Sequence, residues 1–210
     1  AAFMCACAAM FIVYSLARFA GSVSVHSFLL AGIVVGSFLW AALTFVLSIA
    51  GKDAGTIIRW LLGSFAVDNP WSYALMVLPF AVLGLAVLYA MSRDLNVYAL
   101  GEDTARHLGI ETESLKIVII VTTSLITAAA VSVSGIIGFV GLMVPHIARK
   151  MFGPDHRVLL PMSALTGAAL MVTADTAARM LGELPVGVIT ALLGAPFFLF
   201  LLRSRKSMER

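Results

Sequence analysis

Charged residues are scarce in this chain. Only 12% of its 210 residues are Asp, Glu, Lys or Arg, whereas 61% are hydrophobic and the mean hydropathy is +1.03. A soluble domain of similar size is about a quarter charged and about half apolar. The composition therefore excludes an ordinary soluble protein. It predicts an all-α membrane protein, because a lipid-exposed backbone has to satisfy its own hydrogen bonds.

Cysteine is almost absent as well. The two cysteines are Cys5 and Cys7, and no histidine lies close to them in the sequence. Two residues apart on a helix, they point to different sides and cannot easily form a disulfide with each other. We interpret both as small packing residues and predict no metal site in this chain.

Motifs of membrane enzymes and ion-driven transporters are also missing. The sequence contains no HExxH, CxxC, Walker lysine loop or Gly-x-Ser-x-Gly, and its apolar stretches carry almost no ionisable residue. Secondary transporters and pumps usually place such residues at mid-membrane. No catalytic residue is predicted. Two alternatives are disfavoured but stay open: a secondary transporter, and a membrane enzyme that uses His26, His146 or Asp175.

Seven apolar stretches could cross a bilayer, which takes about 17 to 25 residues. They cover residues 1–17, 28–50, 71–92, 117–134, 135–148, 158–177 and 184–202. The fifth is short, and a tight turn near Gly135 to Gly138 has to separate it from the fourth. We expect one transmembrane domain over residues 1–210. Because the chain opens inside an apolar run, we also expect that preceding helices are missing.

The basic residues are distributed unevenly between the two predicted membrane faces. With seven spans, eleven of the fourteen Lys and Arg residues fall on one side, and Lys52, Arg59 and Arg179 fall on the other. The positive-inside rule places the eleven, and with them the C-terminus, in the cytoplasm. The segment 51–70 is then outside. Its apolar middle carries Arg59 and is too short to cross, which predicts a short helix at the outer surface.

The loop of residues 93–116 is the longest polar stretch. A helix is predicted over 100–108, because acidic residues open this stretch, basic residues close it and Gly109 follows as a stop. The charged residues in this order are Glu102, Asp103, Arg106 and His107. A second helix, capped by Thr112, is predicted to continue into the fourth span.

Several small or polar residues in the apolar stretches invite specific interpretations. Gly32 and Gly36 form a GxxxG pattern that favours close helix packing, and a position beside a transport pathway is compatible with it. Pro145 and Pro196 are predicted to bend the fifth and seventh spans. His146 follows Pro145 at the membrane boundary and is interpreted either as a residue of the cytoplasmic interface or as one that satisfies carbonyls freed by Pro145.

Asp175, Arg179 and Glu183 are spaced four residues apart near the predicted outer end of the sixth span. This spacing places them on one face of a helix, if the helix extends that far. A local ladder of ion pairs and the presentation of Arg179 to an external partner are both consistent with the spacing. The sequence does not decide between these two interpretations.

Seven segments resemble, in order, the permease subunits of ATP-driven importers for iron chelates and cobalamin. They are LLAGIVVG, WLLGSF, LGEDTARHLG, GFVGLMVPHIAR, GPDHRVLLP, ADTAAR and ELPVGVITALLGAPFF. Members of that family have ten helices per subunit with both ends cytoplasmic. The resemblance implies that the seven spans correspond to helices four to ten.

The resemblance also implies roles for individual residues. The coupling element that docks into a cytoplasmic ATPase would be residues 100–114, with Leu100, Gly101, Glu102, Asp103, Arg106, His107 and Gly109 as its principal residues. Arg179 would pair with a substrate-binding protein. Val25 and His26 would belong to a cytoplasmic gate, and Gly32 and Gly36 would line the pathway.

The implied assembly has several partners. A second permease subunit, identical or closely related, would complete the pathway within the lipid bilayer, and two cytoplasmic ATPase subunits would bind ATP and Mg²⁺. A periplasmic or lipid-anchored protein would deliver the substrate, and no nucleic acid is expected. The resemblance thus implies a non-enzymatic permease of the inner (cytoplasmic) membrane, with no cofactor of its own. The expected cargo is an iron chelate (siderophore or haem), with cobalamin as the alternative.

Overall fold

The protein is a bundle of α-helices. The computed structural model describes residues 2–19, 25–65, 69–182 and 184–206, and a 3₁₀ turn, Gly51–Asp53, precedes the third helix. The helices are α1 (Ala2–Phe19), α2 (Val25–Ile49), α3 (Ala54–Leu61), α4 (Pro70–Ala90), α5 (Ser92–Tyr98), α6 (Glu102–His107), α7 (Thr112–Ser134), α8 (Val140–Phe152), α9 (His156–Met180) and α10 (Val186–Lys206). The predicted all-α class is confirmed.

Five helices are long and apolar enough to cross a membrane: α1, α2, α4, α7 and α9. Helix α8 has 13 residues, and the apolar part of α10, Val186–Leu199, is also shorter than a full span. Each of the seven predicted stretches contains a helix, and the prediction of a polytopic transmembrane bundle is confirmed. The count of seven complete spans stays a prediction.

The bundle exposes most of its apolar surface. Phe38 on α2 is 71% exposed and Trp71 on α4 is 78% exposed, whereas the buried cluster consists mainly of small and medium side chains, Ala174, Ala178, Val186 and Ile189. In lipid, apolar contact alone does not drive helices together, and small residues that permit close approach take over this role. The exposed surfaces are therefore suited to lipid or to other subunits.

Hydroxyl side chains within the long helices bond to their own helix. The hydroxyl oxygens of Thr123 and Thr127 on α7 donate to carbonyls one turn earlier, at 2.7 Å each. Further examples on α1, α2, α9 and α10 are Ser15, Thr44, Thr166, Thr176 and Thr190. Such bonds satisfy the hydroxyl without a partner on a neighbouring helix.

Helix α8 begins with an uncommon backbone conformation. The chain leaves α7 at Ser134, passes through residues 135–139 and enters α8 at Val140, so the predicted break between the two helices lies where the glycines are, and the reversal of the chain there stays a prediction. Phe139 is the N-cap of α8 and has a φ of 67°, and it is the only residue besides glycine with a positive φ in the described part of the chain. Its ring packs 6.1 Å from that of Phe198, and a Cβ at Gly194 would overlap its side chain. Tertiary packing against α10 thus holds this uncommon backbone conformation.

Candidate functional site

The predicted loop helix exists and is shorter than expected. Helix α6 covers residues 102–107 and not 100–108. Its end is fixed by two bonds, from Gly109 N to the Arg106 carbonyl and from Ile110 N to the Ala105 carbonyl, each 3.0 Å long. This pattern is a Schellman motif, which requires a left-handed residue after the helix. Gly109 supplies it with a φ of 84°.

An ion-pair network attaches α6 to the start of α7. The Glu102 carboxylate accepts from the Arg106 guanidinium and from the Lys116 ammonium group, each at 2.7 Å. Lys116 also lies 3.4 Å from Glu113. The side chain of Lys116 is only 12% exposed, so its charge is better shielded from solvent than those of its partners. Two sequence-adjacent helices are therefore held together by side-chain charges as well as by the turn between them.

Thr112 has a different role from the predicted one. Helix α7 begins at Thr112 itself, and Glu111 occupies the N-cap position without a capping side-chain bond. The Thr112 hydroxyl instead accepts a bond from Arg106 Nε at 3.0 Å. The predicted cap is wrong because the arginine of the preceding helix competes for this buried hydroxyl.

The electrostatics of Glu102 follow from this network. The hydrogen bond from Lys116, together with the positive charges of Lys116 and Arg106, lowers the pKa of the Glu102 carboxyl below its usual value, although partial desolvation opposes the shift. Glu102 therefore stays charged at neutral pH and keeps both cations in place.

The side of the loop that faces away from the bundle is open to solvent. Leu100 is 71% exposed and Leu108 is 63% exposed, and Gly101, Asp103, His107 and Gly109 are also exposed. An open groove of about 460 Å³ lies beside them, lined among others by Gly109, Glu111 and Glu113. Exposed leucines beside charged side chains are typical of a protein-binding surface.

A second connection leaves the loop from α5, a helix that sequence analysis did not single out. The Asn96 side chain meets the N-terminus of α9, where its Oδ1 accepts from the His156 backbone N at 2.8 Å. Its Nδ2 donates to Asp155 Oδ1 at 2.7 Å, and Asp155 also caps α9 by accepting from Arg157 N at 3.0 Å. That backbone bond and the bond from Asn96 lower the pKa of the Asp155 carboxyl. Nothing in the sequence analysis pointed to Asn96.

Arg179 lies at the opposite end of α9. Its Nε donates to Asp175 Oδ2 at 2.8 Å, and its side chain is 60% exposed. The local ion pair of the predicted ladder therefore exists between these two residues, and Glu183 lies outside the described residues. The exposed guanidinium keeps donors available for an external partner.

Three chain segments meet tightly near this same end of the bundle. The segment after α3, the turn after α7 and the start of α10 come together at Gly63, Gly135 and Gly187. A Cβ at Gly135 would overlap the Trp60 carbonyl oxygen, and one at Gly187 would overlap the Leu62 carbonyl oxygen. Ser64 N donates to the Ser134 carbonyl at 2.9 Å. We call this contact the glycine junction. It seats the predicted outer-surface helix, α3, on the bundle, and sequence analysis missed it.

The predicted pathway residues lie on α2. Val25 and His26 begin this helix, and their side chains lie outside the described residues. A Cβ added at Gly32 or Gly36 would meet nothing within 4 Å. The GxxxG face therefore does not pack against another helix in the described part of this chain, and a close-packing role for it would need a second subunit.

The predicted helix bends fall at prolines inside helices. Pro145 lies within α8 and Pro196 within α10, and Pro79 and Pro161 occupy similar positions in α4 and α9. An interior proline removes one backbone bond. The bends themselves stay predictions. The His146 ring stacks edge-on against Phe197 at 5.9 Å, which places it between α8 and α10.

Comparison with curated proteins finds close relatives. The chain is 46% identical over 207 residues to a cobalamin import permease of Halobacterium salinarum, covering 98% of this chain and 56% of the relative. It is 37% identical to an Fe(3+)-citrate import permease of Bacillus subtilis, covering 99% and 62%. It is 40% identical to a hemin transport permease of Yersinia pestis, covering 93% and 59%. The chain thus spans little more than half the length of these relatives.

A solved structure supports the same relationship. The fold matches that of a metal-chelate type ABC transporter in an inward-facing conformation, with a TM-score of 0.84 and 30% identity, over 97% of this chain and 72% of the other. The sequence pattern of the FecCD transport family matches residues 1–204. With its apolar helices and the order of its segments, this chain is a multi-pass membrane protein that belongs to the FecCD transport family.

Proposed function

We propose that this chain is the membrane-spanning part of an ATP-driven importer that carries an iron chelate across the cytoplasmic membrane. The observation that carries the proposal is the loop between α4 and α7. It is the most charged part of an otherwise apolar bundle, and Glu102 and Lys116 tie it to a long helix at 2.7 Å. Such an element can receive a mechanical input from a soluble partner and pass it to a span.

The proposed input comes from a cytoplasmic ATPase. Leu100, Leu108 and Asp103 are exposed and free to contact it, whereas the pair of Glu102 with the largely buried Lys116 holds α6 to α7. Arg106 also pairs with Glu102 but is itself exposed. Closure of the ATPase pair around ATP and Mg²⁺ would displace α6, and α7 would follow. The permease itself performs no covalent chemistry in this scheme.

The proposed orientation places the loop in the cytoplasm, as the distribution of basic residues favours. Helix α9 has 25 residues and is about 37 Å long at 1.5 Å per residue, so it carries Arg179 to the outer face. There the exposed guanidinium would pair with an acidic residue of a substrate-binding protein.

The proposed pathway lies between two copies of the subunit or between close paralogues. The α2 face with Gly32 and Gly36 is open and apolar, and nothing in the described part of this chain covers the space above either glycine. If Gly32 and Gly36 faced the same glycines of the second subunit, their lack of side chains would leave room for a large substrate between the subunits. Val25 and His26 would form the cytoplasmic constriction of that path.

The cargo is proposed to be an iron chelate, either a siderophore complex or haem, with cobalamin as the alternative. The relatives carry names for hemin, Fe(3+)-citrate and cobalamin import. All three are large metal complexes. An apolar path without charged side chains suits such cargo, because such a path would bind the complex only weakly and let it pass.

The proposal is tested by transport in proteoliposomes that contain the full-length permease, its ATPase and its binding protein. Uptake of radiolabelled ferric siderophore, haem and cobalamin is measured with and without ATP inside the cytoplasmic compartment. ATP-dependent uptake of an iron chelate is expected. Uptake driven by a proton gradient without ATP would contradict the proposal, and uptake of cobalamin alone would select the alternative cargo.

A further inference from the structure

We propose that Asn96 is a positioning residue that connects the coupling loop directly to α9, so that the ATP-driven movement reaches the Arg179 end of the protein by a route separate from α7. This inference rests on the proposed function and adds a second output to it. We call Asn96, Asp155 and His156 the α5–α9 latch.

The latch bonds fix the orientation of the Asn96 amide. Its Oδ1 lies 2.8 Å from the His156 backbone N and 2.7 Å from His156 Nδ1, and its Nδ2 lies 2.7 Å from Asp155 Oδ1. A carboxylate only accepts, and a backbone N–H only donates. The amide oxygen therefore faces His156 and the amide nitrogen faces Asp155, because the opposite orientation would lose the bonds to the His156 backbone N and to Asp155. In this orientation the contact with His156 Nδ1 is a hydrogen bond when Nδ1 carries the proton.

Asn96 also completes the N-terminus of a helix to which it does not belong. The first backbone N–H groups of a helix have no partner within the helix. Asp155 satisfies the one at Arg157, and Asn96 satisfies the one at His156 from a separate helix 60 residues earlier in the chain. Asn96 and His156 are both partly buried, which shields the bonds between these two residues from water, whereas the bond from Asn96 to Asp155 is exposed. A displacement of α5 thus acts on the end of α9 itself.

The loop therefore has two different attachments. Charges between Glu102 and Lys116 hold α6 to α7, and neutral amide bonds with one carboxylate hold α5 to α9. Helices α5 and α6 are also in contact with each other. Because α9 is the helix that carries Arg179, a hydrogen-bonded connection at Asp155 reaches the proposed docking end of the protein through a single helix.

A reciprocal exchange separates the latch from general stability. Asn96→Asp places a second carboxylate against Asp155 and removes the donor between them. Combining it with Asp155→Asn restores the pattern with the two groups exchanged. The amide introduced at position 155 can donate to the carboxylate at position 96, and that carboxylate accepts both bonds from His156. In the wild type Asp155 Oδ1 accepts from Asn96 and from Arg157 N, so in the exchange the side chain at 155 has to turn for its amide oxygen to cap Arg157 N. Arg93→Gln is the matched control, since it changes the charge of the same helix by the same amount at an exposed position.

The readout is ATP-induced change at the far end of α9 in the complete complex. A cysteine replaces Met180, which is 81% exposed, in a permease whose Cys5 and Cys7 are replaced by alanine. Its rate of reaction with an impermeant thiol reagent is measured with and without ATP, in lipid, with the ATPase and the binding protein present. Assembly with the ATPase and thermal stability are measured on the same samples.

We expect ATP to change the labelling rate in the wild-type background and in Arg93→Gln. Asn96→Asp should assemble normally but lose most of the ATP-dependent change in labelling rate, and the double exchange should recover most of that change. An undiminished ATP response in Asn96→Asp would overturn the latch while leaving the proposed function intact. The latch would also be overturned if Asn96→Asp lost the ATP response only in parallel with a loss of ATPase assembly or thermal stability, and if the double exchange did not recover that response. The absence of any ATP effect in the wild type, together with the absence of ATP-driven uptake, would overturn the proposed function and the latch with it.

Discussion

The two ends of the bundle are held together by different kinds of contact. At the loop end, long side chains connect the elements: Glu102 reaches Lys116, and Asn96 reaches Asp155. At the other end, the glycine junction brings backbone against backbone at Gly135 and Gly187. Long side chains can change rotamer and keep their partners while helices shift, whereas close backbone contact permits one arrangement. The difference indicates that the loop end adjusts and the glycine junction serves as the fixed end.

Breaking the glycine junction should have the largest effect. Gly187→Ala places a methyl group against the Leu62 carbonyl oxygen, which has to move together with α3. Overpacking of this kind costs about 1 to 3 kcal/mol, and more where the backbone resists. We expect a clear fall in the thermal unfolding midpoint in detergent. Gly141→Ala is the control, because Gly141 also lies within a helix and its added methyl group meets nothing within 4 Å. Equal stability of the two variants would refute the fixed-end interpretation.

Reversing the charges of α6 should have the next largest effect and should be confined to the loop end. Glu102→Lys combined with Arg106→Glu keeps an ion pair within α6 but brings a second ammonium group against Lys116 and a second carboxylate against Glu113. Each partly exposed pair contributes up to about 1 kcal/mol after solvent screening. Assembly with the ATPase, measured by co-purification, should weaken while the spans stay folded. Adding Lys116→Glu should restore part of the assembly, and normal substrate-stimulated ATP hydrolysis by the first double variant would argue against the coupling role.

A smaller effect on stability is expected at Arg179. Its pair with Asp175 is exposed, so Arg179→Glu should cost roughly 0 to 1 kcal/mol of folding stability. Its effect on binding-protein affinity should be larger, because reversal at a docking rim brings like charges together. The affinity between permease and binding protein is measured for the wild-type pair, for Arg179→Glu, and for Arg179→Glu together with an acidic-to-basic reversal on the binding protein. Unchanged affinity in Arg179→Glu would reduce this arginine to a local helix contact.

The smallest expected effect is a pH dependence at Glu102. Its pKa is lowered in the folded protein, chiefly by the hydrogen bond from Lys116, so its stabilising contribution is complete above the unfolded value of 4.5 and is lost as the pH falls through the lower folded value. The unfolding midpoints of the wild type and Glu102→Gln should therefore differ at about pH 6 and converge well below pH 4.5. A difference that persists unchanged at low pH would show that the carboxylate charge does not stabilise the loop.

The sequence was informative where one local rule dominates. Apolar length located the helices, and the order of charges with Gly109 located α6. The rest depends on contacts between residues distant in the sequence. Asn96 looks like any loop residue until α5 lies beside the start of α9, and Gly187 looks like ordinary helix sequence until Leu62 lies against it. The prediction of a Thr112 cap was wrong for a related reason, since Arg106 of the preceding helix donates a hydrogen bond to the Thr112 hydroxyl.

The self-bonded hydroxyls of the long helices have a consequence for movement. Thr123 and Thr127 on α7, and Thr166 and Thr176 on α9, are bound to carbonyls of their own helices. When two such surfaces slide past each other, these hydrogen bonds travel with their helix and none of them has to be broken and remade in lipid, where an unpaired polar group is costly. The helix surfaces therefore resist separation through close packing but offer little friction to sliding. Because Thr123, Thr127 and Thr176 are exposed in this chain, the surfaces that slide easily are those that face lipid or a second subunit, and along them a modest push at one end of a long helix can reach the other.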